Sequence, residues 1–598
     1  MCGIIGQLNH LQKIEINSFD KMRDSLTHRG PDDAGSWYSD EGFIALGHRR
    51  LSFLDLSEAG HQPMTNEDGT LWLTFNGEIY NYKELRSALI TKGHNFKSTS
   101  DSEVLLHGYE EWGISLPEHL KGMFAFGIWD IKRGKLFLVR DRFGIKPLYY
   151  AHLKDKFIFA SEIKAIHLEP GTKLSVNYSS VIDYLNYRYV PSPATIWKEV
   201  AKLPPAYCLV YDYPSNRIEE FREYWKLKPG NEFAEGKDAV CKVDDLLYQS
   251  ISQHIRSDVP VGSFLSGGYD SSAIVYYLHR LGYAANTFSI GFDGWNKSEH
   301  QFAQLVAEKY NMPFYHAIAG EEQFDLVSKL MYFYDEPIAD ISIIPTYMVS
   351  ALAARYNKAV LSGEGADEIF CGYWWQKRIA SIGMFTGQWW QKHIGTLHRG
   401  YAGYLTTEYA DAMAMGRFSN NEIKELIHPD LSGYLRDDSD WFYRKFVDQN
   451  LSPIKNFQYM DIKTFMGELV LTKIDRSSMA NSLEVRVPFL DHELFEYIYA
   501  LNDKAYFRKD TVKYLLHENI KKSLPDVILK RGKQGFVGPD KYYMKIDRYA
   551  GLLINGCLVT QGIIKPESLR LLIKKQDHWR LWKLFVLEIW WRTWVGNK

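Results

Sequence analysis

The sequence predicts a two-domain protein: an α+β unit of stacked antiparallel sheets, then an α/β unit on a parallel sheet with helical insertions. Three observations predict it. The chain has 598 residues, too many for one hydrophobic core, which stops growing near ~250–300 residues. Its first half consists of short aromatic and β-branched runs separated by turn residues. Its second half alternates strand, polar loop and helix, the pattern of a parallel sheet.

The runs Leu71–Phe75, Phe124–Trp129, Leu136–Arg140, Leu148–Ala151 and Lys156–Ala160 read as strands. Short strands joined by turns pair antiparallel and stack as sheets. Pro191, Pro193, Pro204 and Pro205 then punctuate the chain, and Tyr213-Pro214-Ser215-Asn216 reads as a turn. These signals place a first domain over residues 2–205, a linker over 206–240 and a second domain over 241–598. Val259–Leu265 is an apolar run entering a Ser-Gly-Gly turn, and Ser272–Leu278 reads as helix. Ala285–Phe292 and Ala359–Leu361 are further strands. Such a sheet carries its ligand-binding loops at the carboxyl ends of its strands. Residues 373–465 are helical in flavour and rich in Trp and Tyr.

Composition narrows the function. A net charge of −2 gives no electrostatic case for nucleic acid or an anionic membrane. No apolar run of ~18 residues occurs, so no membrane span is expected. No basic segment followed by an apolar stretch opens the chain, so no signal peptide is expected. The 5 cysteines are scattered without a CxxC, so neither a disulfide framework nor a zinc site is expected.

Met1-Cys2-Gly3-Ile4-Ile5-Gly6 is the most informative stretch. Cysteine is small enough for loss of the initiator Met to be expected, which leaves a thiol and a free α-amine on Cys2. The amine has a pKa near neutrality and can relay the thiol proton, directly or through a water. Arg50, in Gly47-His48-Arg49-Arg50-Leu51-Ser52, offers a guanidinium to clamp an α-carboxylate by two parallel hydrogen bonds. Asn76 and Gly77 offer a side-chain amide and a backbone N–H to a tetrahedral oxyanion. Glu78 and Asp101 supply carboxylates for an α-ammonium group. Alone, each has a plainer reading: Arg50 as a surface ion pair, Asn76-Gly77 as a hairpin turn. Together with Cys2 they recognise both ends of a free amino acid and attack its side-chain carbonyl.

Leu265-Ser266-Gly267-Gly268-Tyr269-Asp270-Ser271-Ser272 joins a strand to a helix. Its glycines let backbone N–H groups approach a ligand, and its hydroxyls and helix N-terminus add donors. That suits a pyrophosphate, and without a GxxxxGKS or GxxxxGKT run the loop is not of the Walker type. Asp270 is an anion inside an anion site, which Mg²⁺ would bridge to phosphates. The plainer reading is a Ser/Gly turn with a helix cap. A second strand-end loop, Ser362-Gly363-Glu364-Gly365-Ala366-Asp367-Glu368, brings further carboxylates. Lys473-Ile474-Asp475-Arg476, Glu484-Val485-Arg486-Val487-Pro488-Phe489-Leu490-Asp491 and Arg531-Gly532-Lys533-Gln534-Gly535-Phe536 follow. Carboxylates for metal and proton work, plus a lysine for a leaving pyrophosphate, are what adenylyl transfer needs.

The first domain resembles the glutaminase domain of class II glutamine amidotransferases, of the N-terminal-nucleophile fold. The match includes His28-Arg29-Gly30-Pro31-Asp32, Asn76–Asn81, Arg140–Gly144, Lys146–Tyr149 and Phe159–Glu162. The later motifs resemble the synthetase domain of glutamine-hydrolysing asparagine synthetases, a PP-loop ATP pyrophosphatase fold. The resemblance implies that Cys2 displaces ammonia from glutamine through a thioester. It implies ATP binding by Leu265, Ser266, Gly267, Gly268, Asp270, Ser271, Ser272, Ile290, Ser362 and Gly363, with Lys533 on the phosphates. Asp270 and Asp367 would hold Mg²⁺, and Glu364 would be the base for the incoming ammonia.

Two residues depart from the family pattern. Tyr269 stands where Leu is usual, and Cys371 stands where Gly is usual. Both are expected near the acceptor. Residues 373–465 resemble a longer subfamily, found also among enzymes that amidate sugar acids of bacterial surface polysaccharides. Aspartate is the favoured acceptor, and a uronic acid or a nonstandard amino acid stays open. A β-lactam-forming relative would lack Cys2. A phosphoribosyl or hexose amidotransferase would need sugar-phosphate machinery in the second domain. A non-catalytic interaction protein would lack Cys2, Asp270 or Glu364, and all three are present. A thiolate and ATP chemistry point to the reducing cytoplasm. The expected partners are small molecules, with a homodimer as one open assembly.

Overall fold

The computed structural model describes residues 2–596 except 231, 233–235, 296–297, 377–399, 414, 509 and 532–544. Twelve strands build the first domain: β1 (Gly3–Asn9), β2 (Asp33–Tyr38), β3 (Ile44–Arg50), β4 (Met64–Thr65), β5 (Leu71–Ile79) and β6 (Gly122–Asp130), then β7 (Lys135–Arg140), β8 (Tyr149–His152), β9 (Lys156–Ala160), β10 (Ala201–Lys202), β11 (Tyr207–Asp212) and β12 (Arg217–Glu223). They form two sheets, in the orders β10-β8-β9-β1-β3-β2 and β12-β11-β7-β6-β5-β4. All pairings are antiparallel.

Period-two patterning explains the stack. Ile4 and Leu8 of β1, Ile44 and Leu46 of β3, and Phe157 and Phe159 of β9 point into the space between the sheets. There they meet Ala125 and Trp129 of β6, Leu136 and Leu138 of β7, and Leu209 and Tyr211 of β11. The intervening residues Ile5, Ala45, Phe126 and Val139 belong to the outer layers. Helix Ile16–Asp24 buries Phe19 and Met22 against the first sheet. Helix Glu103–Trp112 packs on the second. The result is a four-layer αββα sandwich.

The second domain is built on β13 (Val261–Phe264), β14 (Thr287–Phe292), β15 (Phe314–Ala319), β16 (Ala359–Leu361) and β17 (Glu484–Arg486). Their order is β15-β14-β13-β16-β17, and every pairing is parallel. All six residues of β14 are buried, as expected for a strand covered on both faces. β13 and β16 are neighbours, so loops 265–268 and 362–365 leave the sheet side by side.

Boundaries shift in three places. β13 begins at Val261, after Pro260, which has no N–H to donate to a ladder. The helix after the Ser-Gly-Gly turn spans Tyr269–Arg280, with Gly268 as its N-cap, and so begins ahead of Ser272. The expected linker 206–240 contains β11 and β12 of the second sheet. β12 is an edge strand with charged, partly exposed positions, which is why it lacked an apolar signature.

Residues 377–399 of the aromatic stretch lie outside the described residues. Its described remainder is helical, with Gly400–Met413, Asn420–Leu426, Trp441–Arg444 and Pro453–Met460, then a π-helical segment Asp461–Val470. The last helix, His578–Trp594, buries Trp582, Trp590 and Trp591. It reaches back to the first domain, where Lys583 Nζ donates to Leu185 O at 2.8 Å. Among the described residues, no helix is long and apolar enough to cross a membrane.

Candidate active sites

Cys2 lies at the start of β1, 8% exposed. Its backbone N donates to Asn76 Oδ1 at 2.9 Å. That bond leaves the buried Asn76 Nδ2 without a hydrogen-bond partner. A buried amide donor left unpaired is costly, and beside a nucleophile it suits an oxyanion. Gly77 continues β5, where a Cβ would lie 2.1 Å from Met123 O, so β6 admits no side chain. Arg50, Gly77, Glu78 and Asp101 line one pocket with Cys2. These residues, distant in the sequence, therefore come together in one place.

The pocket's electrostatics follow from burial. Burial pushes the Cys2 thiol up, so the nucleophile rests protonated. It also pushes Glu78 well above the ordinary carboxylate range and Asp101 to about 6. Asp101 accepts from Ile79 N at 2.8 Å. Arg50 donates to the carbonyls of Leu54, Asp55 and Ser57 at 3.1, 2.5 and 3.3 Å. The loop after β3 is therefore wrapped on the guanidinium that was expected to face a carboxylate.

Residues without an assigned role in the sequence reading join this pocket to the second domain. Arg486 NH2 lies 3.0 Å from Glu78 Oε1, and its Nε donates to Glu484 Oε1 at 2.5 Å. Burial raises Glu484, but positive charges, first the chain's N-terminal amine and then Arg486 and Lys146, outweigh it and hold the carboxyl at about 2. Arg29 Nε donates to Cys2 O at 3.0 Å, while NH1 and NH2 hold Asp475 at 2.8 and 3.0 Å. Arg476 pairs with Glu162 at 2.7 Å and Asp335 at 3.4 Å. Lys473 Nζ donates to Ser342 Oγ at 2.9 Å, and Asp491 caps helix His492–Ala500. The charged groups of these motifs pair across the domain junction (Asp475, Arg476, Arg486), within the second domain (Lys473) or at a helix end (Asp491). Only Ile474 of these motifs lines the second cavity.

That second site is a pair of adjoining cavities at the carboxyl edge of the parallel sheet. One is lined by Ser266–Ser271, Glu299, Lys513, His517 and Arg531, among others. The other is lined by Leu265, Phe288, Ser289, Thr346, Ser362, Gly363, Glu364 and Asp367, among others, and shares Ser266, Asp270, Ser271 and Glu299 with the first. The two loops touch: a Cβ on Gly363 would lie 3.0 Å from Asp270 Cβ. Gly267 adopts φ +69°, and a Cβ there would meet the backbone of Phe302 and Ala303 at 2.5 Å. Ser271 Oγ accepts from Ser266 N at 3.1 Å, and Ser266 Oγ from Gly268 N at 3.2 Å. Ser272 Oγ is buried without a hydrogen-bond partner. Ile290 is 1% exposed and lines neither cavity, whereas its neighbour Ser289 does. Ser362 Oγ donates to Glu364 Oε2.

Lys513 is the residue that the sequence reading missed. Its ammonium contacts Asp270 Oδ1 and lies 2.8 Å from Asp367 Oδ1. Burial opposes its charge, but the two carboxylates hold it protonated, above the ordinary lysine value. Thr511-Val512-Lys513 carries no motif, so only the fold could find it. Lys533, chosen instead, lies outside the described residues. Its motif neighbour Arg531 does line the cavity and pairs with Glu299 at 3.0 Å. Asp270 and Asp367 converge on one cation and are hard oxygen donors, so they fit Mg²⁺ once phosphate oxygens complete the shell.

The two departures have separate places. Tyr269 OH bonds His517 Nδ1 at 2.6 Å across the cavity. Cys371 is buried at the end of helix Ala366–Phe370 with φ +56°. A left-handed residue at a helix end is ordinarily Gly, which explains the usual residue there. Cys371 lines neither cavity.

Residues 1–225 match the family model "Glutamine amidotransferase domain", and residues 242–592 match "Asparagine synthase". The chain is 34% identical to asparagine synthetase [glutamine-hydrolyzing] 1 of Bacillus subtilis (strain 168), over 99% of this chain and 96% of that one. It is 37% identical to a putative asparagine synthetase [glutamine-hydrolyzing] 2 of Methanocaldococcus jannaschii, over 62% of this chain and 76% of that one. It is 28% identical to the amidase chry2 of Gibberella zeae, over 91% and 90%. With two domain models covering its two sheets and a relative matched end to end, the chain belongs to the glutamine-hydrolysing asparagine synthetase family, carbon–nitrogen ligases with glutamine as amido donor.

Proposed function

We propose that the chain converts aspartate, glutamine, ATP and water to asparagine, glutamate, AMP and pyrophosphate in the cytoplasm. The observation that carries this reading is the end-to-end match to a relative named asparagine synthetase, in a chain that holds both sites. With Met1 removed, the Cys2 amine takes the thiol proton and the sulfur attacks the glutamine side-chain carbonyl. The Asn76 amide and Gly77 N–H receive the oxyanion. Ammonia leaves, and water then cleaves the thioester to glutamate. The incoming α-ammonium favours the ionised forms of Glu78 and Asp101, which hold it, and Arg50 holds the substrate carboxylate.

At the second site the acceptor carboxylate attacks the α-phosphorus of ATP and pyrophosphate departs. The loop 265–272, Ser362 and Gly363 seat the nucleotide, with Ile290 reaching it through backbone alone. Lys513, Arg531 and Lys533 neutralise the departing pyrophosphate. Asp270 and Asp367 would hold Mg²⁺, which supplies charge neutralisation on the phosphates. Ammonia from the first site attacks the acyl-adenylate, Glu364 takes its proton, and AMP leaves. The same chemistry on a nucleotide-linked uronic acid is favoured by one observation, Tyr269 with its hydroxyl at the cavity wall.

The test supplies purified protein with ATP, Mg²⁺ and ammonium, and either aspartate or a nucleotide-linked uronic acid. Asparagine formation at a turnover within the usual ~1–10³ s⁻¹ supports the reading. Pyrophosphate release with the sugar acid alone overturns it.

A further inference from the structure

A group outside both sites gathers ligands of the metal-binding kind. His94, in the turn after helix Tyr82–Thr91, and His107 and Glu110, on helix Glu103–Trp112, each place a ligand atom within 4.8 Å of the others. His94 Nδ1 lies 3.3 Å and His107 Nδ1 2.9 Å from the same oxygen, Glu110 Oε2. Ligands held ~2.0–2.1 Å from a tetrahedral Zn²⁺ are themselves ~3.3 Å apart, so little movement would admit an ion.

The surroundings are built to match. The far nitrogen of each ring faces a carboxylate: His107 Nε2 is 3.7 Å from Glu103 Oε1, and His94 Nε2 is 3.8 Å from Glu111 Oε2. Carboxylates behind the imidazoles are what orient metal-bound histidines. Glu103 is fixed by Lys97 N and Ser98 N at 2.8 Å and by Ser98 Oγ at 2.7 Å. Glu110 Oε1 accepts from Asn66 Nδ2 at 2.8 Å, which turns Oε2 toward the histidines. Glu67 Oε2 stands 3.9 Å from His107 Nδ1, outside the group of three but one side-chain rotation from it. His107 is 1% exposed, and its Nε2 has no hydrogen-bond partner.

We propose that His94, His107 and Glu110, joined by Glu67 once it turns inward, form a structural site for a divalent transition metal, with Zn²⁺ best suited to such a nitrogen and oxygen set. The sequence reading expected no zinc site, an expectation drawn from the cysteines alone, whereas these ligands are histidines and carboxylates. The ion ties together the turn before β5, the loop at His94 and the helix that follows Asp101. The residues just before that helix, Ser100 to Ser102, line the pocket with Cys2, and the ion lies outside it.

The full chain, stripped with a chelator and desalted, is titrated with Zn²⁺ by calorimetry. Co²⁺ serves as a spectroscopic probe, and melting as a second readout. The expected result is one equivalent of Zn²⁺ bound by the wild type, weakened ~100-fold or more in both His94→Ala and Glu67→Gln. Zn²⁺ raises the melting temperature of the wild type alone. Bound Co²⁺ shows ligand-field bands without a thiolate charge-transfer band. Both substituted residues lie at the surface, and unchanged glutamine hydrolysis reports that the variants fold. Equal Zn²⁺ affinity in wild type and His94→Ala overturns the proposal. So does a thiolate band, which would place the ion on a cysteine, and so does no binding, which would leave His107 as a protonated link between carboxylates.

Discussion

Lys513→Met separates the two active sites most sharply. The substitution keeps an unbranched chain and removes the ammonium that touches Asp270 and Asp367. A charge acting more on departing pyrophosphate than on bound ATP falls at the lower end of the ~10³–10⁵ range of such groups in phosphoryl transfer. The expected loss is therefore ~10³-fold in adenylation, or ~4 kcal/mol. The assay is pyrophosphate release from ATP with aspartate, run beside glutamine hydrolysis on the same preparation. Glutamine hydrolysis should persist, because Lys513 does not line the Cys2 pocket. The free protein should also lose stability, by ~3–5 kcal/mol, because two buried carboxylates lose their counter-charge. Mg²⁺ alone should then raise the variant's melting temperature more than the wild type's, since two uncompensated carboxylates make a better cation site. Pyrophosphate release within about tenfold of wild type, which is only ~1.4 kcal/mol, would refute the assignment.

Other outcomes follow from the first domain and its junction. Cys2→Ala should abolish glutamine-dependent synthesis and spare synthesis from ammonium salts; any remaining glutaminase activity refutes the nucleophile. Asn76→Ala should lower glutaminase turnover ~10²–10³-fold with little change in KM, the usual cost of one oxyanion donor. The glutamine KM should rise as pH falls through about 6, because burial raises the Asp101 pKa and the acid form cannot hold an ammonium; Asp101→Asn should flatten that profile. The same raised pKa costs the free protein stability between the ordinary carboxylate pKa near ~4 and about 6, fully present above that window. Asp101→Asn should thus melt relatively higher at pH 7 than at pH 4. Arg486→Met should destabilise by ~3–5 kcal/mol by stranding Glu78 and Glu484, and Glu484→Gln in the same chain should recover part of it, as read by the melting temperature.

Local chemistry was legible in the sequence and long-range pairing was not. Five strands of the first domain announced themselves because alternate residues face the space between two sheets, as Trp129 and Leu138 do. The Cys2 pocket was legible because its parts sit on β1, β3 and β5 and on the turn before helix Glu103–Trp112, each with a residue type that only one chemistry uses together. Lys513 was invisible for the opposite reason. Its function comes from touching Asp270, 243 residues away in the chain, and a lysine before a helix has no signature of its own. The histidines of the proposed metal site were missed in the same way. His94 and Glu67 come from separate turns, so no spacing rule joins them to His107 and Glu110.

The junction shows what motif reading leaves open for some charged residues. Asp475 and Glu484 stand in charged motifs to which the sequence gives no individual role. Their partners, Arg29 at 446 residues' separation and Arg486 two residues on, make them parts of a buried lattice between the domains. Buried ion pairs are poor sources of net stability, because desolvation offsets most of the attraction. What they supply is a fixed arrangement, since a displaced partner leaves a charge stranded. Arg29 holds the Cys2 carbonyl and Asp475 at once, and Arg486 holds Glu78 beside the strand that ends against loop 362–365. Any rotation of one domain on the other would therefore break bonds at the nucleophile and at the substrate ammonium together. On the proposed mechanism, the lattice makes glutamine hydrolysis depend on the domain arrangement that ammonia transfer needs.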